Sequence, residues 1–138
     1  MSRRIDRKHA FCVVFGLGFH STQECDAAAD VAYYLENFAE EKASEPDFVL
    51  GEVQGVYTNL ETIDTHIGET ADSWEVARIA RADMAIMRLA VYEMLHAADI
   101  AASVSINEAV ELAKEFSTEE SGKFVNGVLG KIARKLSV

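Results

Sequence analysis

The chain has 138 residues, of which 49% are hydrophobic and 26% charged, and its formal net charge is −10. That length suits one domain over residues 1–138 with an ordinary core. No run reaches the ~18 apolar residues that a membrane span needs, and two cysteines make neither a disulfide framework nor a zinc site. Cys12 and Cys25 both sit in apolar helical patterns, so buried free thiols in a reducing cytoplasm are expected. One proline, eight glycines and few β-branched runs point to helices.

Charge is unevenly spread. Residues 1–21 carry a net +3, residues 22–75 a net −13 and residues 76–138 a net 0. Such a chain does not attract nucleic acid through its average field. Any RNA contact is local, and the basic start is the place for it. Arg3, Arg4, Arg7 and Lys8 precede A-F-C-V-V-F-G-L-G-F, which superficially reads as a signal peptide. Asp6 interrupts the basic region and no small-residue cleavage site follows Phe19, so a cytoplasmic protein is expected.

In chain order, the first helix is expected from Arg4 to Phe19, with Phe11, Val14, Phe15 and Phe19 on one face. Gly16 and Gly18 each cost it about 1 kcal/mol relative to alanine, which suggests a tight packing contact. Ser21 or Thr22 then caps a second helix with the stripe Val31, Tyr34, Leu35 and Phe38. Pro46 opens a third, whose stripe runs Val49, Val53, Val56, Leu60, Ile63 and Ile67 before Gly68 stops it. Asp72 or Ser73 begins the next unit, with Trp74 anchoring the loop. From Ala82 to Ala98 the sequence is apolar on nearly every side, the pattern of a helix in the middle of a domain. Arg88 and Glu93 are its polar exceptions and are expected to be paired at the edge of the core.

The stretch from Ser103 to Leu129 closes the fold as a helical hairpin. Ser105 with Glu108, and Ser117 with Glu120, read as capping boxes. Ile106, Ala109, Val110, Ala113 and Phe116 draw the apolar face of the first helix. Phe124, Val125, Val128, Leu129 and Ile132 draw that of the second. Gly127 is expected at a close helix–helix approach. The architecture is therefore all-α, with six or seven helices around an apolar central one.

Catalytic chemistry finds little support. Glu93-Met94-Leu95-His96 is a single Glu-x-x-His pattern, with Glu108 and Glu111 nearby, where a di-iron bundle needs two such patterns and two more glutamates. Glu111 is expected to pair with Lys114 instead. There is no nucleophile elbow and no phosphate-cradling glycine loop. Neither a metal nor another cofactor is implied. The bases at the start have a plain reading as a solvated terminus and a sharper one as an RNA site, since arginines reach phosphates and stack on unpaired bases.

I-N-E-A-V-E-L-A-K, followed by K-F-V-N-G-V-L, closely resembles the C-terminal signature of the NusB family of transcription antitermination factors. M-R-L-A-V-Y-E-M-L, Met87 to Leu95, resembles the family's other signature segment. The resemblance covers the last 55 or so residues well and the N-terminal half mainly in pattern. It implies two small helical bundles, the second holding the signature motifs. It also implies pairing with NusE, a basic ribosomal small-subunit protein, and binding of boxA RNA from ribosomal RNA operons within the transcription elongation complex. Arg3, Arg4 and Arg7 match the family's RNA-binding start by position, while Ile5 and Asp6 depart from it. Phe15, Asp83, Glu120 and Phe124 match positions that meet NusE, although Phe15 and Phe124 also read as core and Glu120 as a capping acid. Two other readings follow from the same residues. One is a module of this fold that has lost RNA binding and buries its basic patch in a homodimer. The other is an RNA methyltransferase with a NusB-like N-terminal domain, which requires a catalytic domain beyond Val138.

Overall fold

The computed structural model describes residues 2–16, 26–71 and 79–138. Among these the chain is all-α, with helices α1 (Ser2–Gly16), α2 (Ala27–Asn37), α3 (Pro46–Thr58), α4 (Leu60–Thr70), α5 (Arg81–His96), α6 (Ala102–Phe116) and α7 (Glu119–Leu136). They form two compact units, Met1–Thr58 and Asn59–Val138.

In the first unit α1, α2 and α3 pack on one another. Val14, Val49, Val53 and Val56 are fully buried there, with Phe11 and Val31 close behind. Each such side chain contributes about 1.5–3 kcal/mol by leaving water. Phe38, expected on the buried stripe, instead closes α2 as its C-cap and is exposed beside Tyr33. The cap of α2 is Asp26, whose Oδ1 accepts from the Ala29 N–H at 3.2 Å. The expected caps Ser21 and Thr22, like Gly18, Phe19 and Cys25, lie outside the described residues. Cys12 is a half-buried free thiol. Burial, and then a hydrogen bond with Cys12, raise the phenol of Tyr34 above its ordinary range, so it stays neutral beside His9, whose Nδ1 is 3.0 Å from its hydroxyl.

The long third helix expected from Pro46 to Gly68 is two. Its apolar stripe is real, because Val49, Val53, Val56, Ile63 and Ile67 are all fully buried. The backbone, however, leaves the helix at Asn59 (φ −111°, ψ 17°), which becomes the N-cap of α4. Asparagine competes with helix by local hydrogen bonding and favours such ends. The boundary between the units falls here. Gly68 lies inside α4, which runs on to Thr70.

In the second unit α5 packs against α4, α6 and α7. Its residues Met84, Ala85, Ile86, Met87, Leu89, Ala90 and Val91 are buried nearly all round, as its composition predicts. Arg88 makes a fork-on-fork pair with Asp64 of α4, both bonds at 2.9 Å. Glu93, 2% exposed, accepts from the Ser105 hydroxyl at 2.7 Å. That contact explains why Ser105 is no cap: it lies within α6, which starts at Ala102, and its hydroxyl satisfies a buried carboxylate. The second capping box is displaced too. Thr118, not Ser117, caps α7 by accepting from the Ser121 N–H at 3.0 Å, while Ser117 ends α6. Phe116 is 41% exposed, and Leu112 fills the buried face with Ala109 and Ala113. The expected start at Asp72 or Ser73 and the Trp74 anchor lie outside the described residues.

Candidate nucleic-acid and partner-binding sites

The basic start of the chain is a well-ordered piece of packing. Asp6 is fully buried, and its two carboxylate oxygens accept from the backbone N–H groups of Ser44 and Glu45, each at 2.8 Å. Those groups stand at the threshold of α3, where Pro46 takes the first helical position and the Glu45 carbonyl accepts from the Phe48 N–H at 2.9 Å. A carboxylate suits a helix N-terminus on both hydrogen-bonding and dipole grounds. Asp6 thus joins α1 to α3 and fixes the direction in which the neighbouring bases point.

Those bases divide into unlike environments. Arg7 is 6% exposed and lies 5.7 Å from the centre of the Phe48 ring. Arg4 is exposed and Lys8 partly so. Arg3 is half-exposed, bonded to a Glu45 oxygen at 3.1 Å and placed 4.0 Å over the Phe48 ring. Three of the four predicted RNA-binding side chains therefore reach the surface, and Arg7 is buried near Phe48. Phe48 and Glu45 were not foreseen at this site. The signal was present in E-P-D-F, a helix start that positions both residues one turn apart. Phe15, near the end of α1, is half-buried in a tilted contact with Phe11, ring centres 6.0 Å apart.

The second unit holds a surface cleft of 610 Å³, lined by Ile79, Ala80, Asp83, Glu120, Ser121, Lys123 and Phe124. Asp83, in the first turn of α5, is 5% exposed. Burial raises its carboxyl above the usual range, and hydrogen bonds from Ser121 and Ser117 only partly oppose that. Its Oδ1 has no hydrogen-bond partner among the described residues. The two serine hydroxyls lie 2.7 Å apart. Glu120 and Lys123 are exposed on the rim and Phe124 is half-buried. Since Thr118 is the cap, the third helical position is Ser121, and Glu120 is released from the capping role the sequence suggested. Three of the four residues expected to meet a partner thus share one concavity, and Ser121 and Lys123 join them. Their spacing along α7 places 120, 121 and 124 on one face, a signal masked by reading Ser117 as the cap.

Other candidates resolve into packing. Glu93 is buried on Ser105, whereas His96 is exposed and stacked on Tyr92. Glu111 pairs with Lys114 at 3.8 Å. Gly127 and Gly16 would each accept a Cβ with nothing within 4 Å, so neither marks a close approach. At Gly122 a Cβ would make ordinary contact with the Lys114 and Val110 side chains of α6. Among the described residues no helix is long and apolar enough to cross a membrane.

Fold and sites together define an all-α protein whose notable surfaces, a cationic helix start and an acid-floored cleft, are suited to binding. The sequence profile of the NusB family matches residues 4–134, and the chain belongs to that family. It is 40% identical to the transcription antitermination protein NusB of Acetivibrio thermocellus over 134 residues, covering 97% of this chain and 90% of that one. It is likewise 40% identical to the protein of the same name from Carboxydothermus hydrogenoformans, over 99% of this chain and 95% of that one. The solved structure of T. maritima NusB superposes with a TM-score of 0.82 at 34% identity, over 96% of this chain and 91% of that one. A crystal structure of antitermination factors NusB and NusE in complex with dsRNA shares the fold, with a TM-score of 0.84 at 22% identity and 97% of each chain covered.

Proposed function

We propose that this chain is a cytoplasmic transcription antitermination factor. It pairs with NusE through the Asp83 cleft, holds boxA-type RNA of ribosomal RNA operons on the start of α1, and recruits the antitermination machinery to the elongating polymerase. It acts as an adaptor, bringing binding partners together without chemistry of its own. The observation that carries this reading is the convergence of Asp83, Glu120 and Phe124, matched to the partner-binding positions of the family, on one cleft. A basic partner suits it, because the cleft offers a buried carboxylate oxygen without a partner and an exposed acid at the rim.

Calorimetric titration with purified NusE tests the assignment. Asp83→Lys and Glu120→Lys each place a cation where the partner's cations would sit and are expected to weaken the complex at least about tenfold. Phe124→Ala is expected to do the same by removing the cleft's apolar wall, with circular dichroism confirming the fold. Wild-type protein that ignores NusE, or three variants that bind it unchanged, would overturn the reading.

A further inference from the structure

We propose that Arg3 is a nucleobase-stacking residue, held as a flat platform by Phe48 beneath it and Glu45 beside it. The proposal rests on the reading of the α1 start as an RNA site and assigns the first contact with a base rather than with the backbone.

The bases at this end of the chain are not equivalent. The Arg3 guanidinium lies 4.0 Å over the centre of the Phe48 ring, in contact with its face. One terminal nitrogen is tied to Glu45 at 3.1 Å, and the Arg3 side chain remains 40% exposed. Its Nε is buried and makes no hydrogen bond. One face of the group is therefore occupied by an aromatic ring while the side chain stays open to solvent. Asp6 fixes the frame, since its bonds to Ser44 and Glu45 set the start of α3 against α1 and so place Phe48 and Glu45 under Arg3.

The chemistry of the ligand follows from Glu45. A phosphate approaching Arg3 meets a carboxylate already on the guanidinium and is repelled by it. An uncharged base is not. A guanidinium plane backed by an aromatic ring is a stacking surface for an unpaired base, and single-stranded RNA is held by such surfaces. Its preset orientation reduces the entropy lost on binding. Arg4, exposed on the same helix, is the residue placed for phosphate.

Lysine keeps the charge of arginine but lacks its plane, which gives a clean test. Binding of a fluorescein-labelled single-stranded boxA-type RNA is measured by anisotropy, in the presence of NusE, across a salt series. Arg3→Lys is expected to weaken binding about fivefold or more with the salt slope unchanged. Arg4→Ala is expected to make the slope shallower by about 0.7. The same titration with RNAs carrying one abasic site at successive positions identifies the stacked base. At that position the wild type loses about fivefold and Arg3→Lys loses nothing further, a coupling that a merely structural role would not produce. Phe48→Leu, checked for folding by circular dichroism, is expected to reproduce the Arg3→Lys effect. If Arg3→Lys binds like wild type while Arg4→Ala is weakened, the RNA site stands and the stacking platform falls. If the wild type with NusE binds no RNA, the RNA site and the platform fall together.

Discussion

At the scale of single residues, Asp83 sets the proposed partner binding against stability. It is nearly fully buried, its Oδ1 lacks a partner among the described residues, and its carboxyl is pushed above the ordinary value of 3.8 because burial disfavours the charged form. A group with a raised folded-state value binds more protons folded than unfolded in the interval between the two. Its stabilising contribution is therefore complete below 3.8 and is lost as pH rises through the folded value. Asp83→Asn removes the titration and keeps the shape. The difference in melting temperature between this variant and wild type is expected to grow in the variant's favour from pH 4 upward. At neutral pH it should reach a few degrees, on the order of 1 kcal/mol. A pH-independent difference would mean that the carboxylate is not desolvated in the folded protein. Binding should move the opposite way, with NusE affinity lost in the more stable variant.

Among the elements, the sequence was most legible where apolar periodicity was strong. Among the described residues, α1–α4, α6 and α7 carry stripes that the apolar spacing outlined, and the all-round apolar pattern of α5 identified the most buried helix of its unit. Boundaries and caps were less legible because short-range patterns are shared by helix starts and helix interiors. S-I-N-E fits a capping box, yet Ser105 is called into the core by Glu93, a long-range demand that no local pattern records. The same holds for Asp6, which looked like an interruption of a basic patch and is the acceptor that organises it. Asp83, Glu120 and Phe124 could be singled out from the family resemblance, whereas the cleft that unites them could not, since it depends on where α5 and α7 meet. Gly127 gives the element-scale prediction. It is exposed on α7, and a Cβ there meets nothing within 4 Å. Gly127→Ala is therefore expected to stabilise the protein by about 0.5–1 kcal/mol through helix propensity and a less flexible unfolded chain. Chemical denaturation with an unchanged m-value would confirm it. Destabilisation would show that the glycine serves a contact made within the fold.

For the whole molecule the proposed function raises the question of how a chain of net charge −10 would hold RNA at all. A local excess of cations stands in the first eight residues while residues 22–75 carry a net −13, so attraction is short-ranged and repulsion extends further. At physiological salt the Debye length is about 8 Å, which leaves local contacts largely intact and screens the distant acids. This predicts an RNA affinity with a modest salt slope, about −1.4 for Arg4 and Lys8 at ~0.7 each, since Arg3 is already paired with Glu45 and meets a base. It also predicts that the exposed acids Glu40 and Glu41 matter only in dilute salt. Glu40→Gln/Glu41→Gln should bind RNA more tightly than wild type below about 50 mM salt, and the two curves should converge near 0.2 M, because what is removed is a screened field and not a contact. Curves that stay parallel across the series would place those two side chains against the RNA itself. A slope much steeper than about −1.4 would require further cations to join the site.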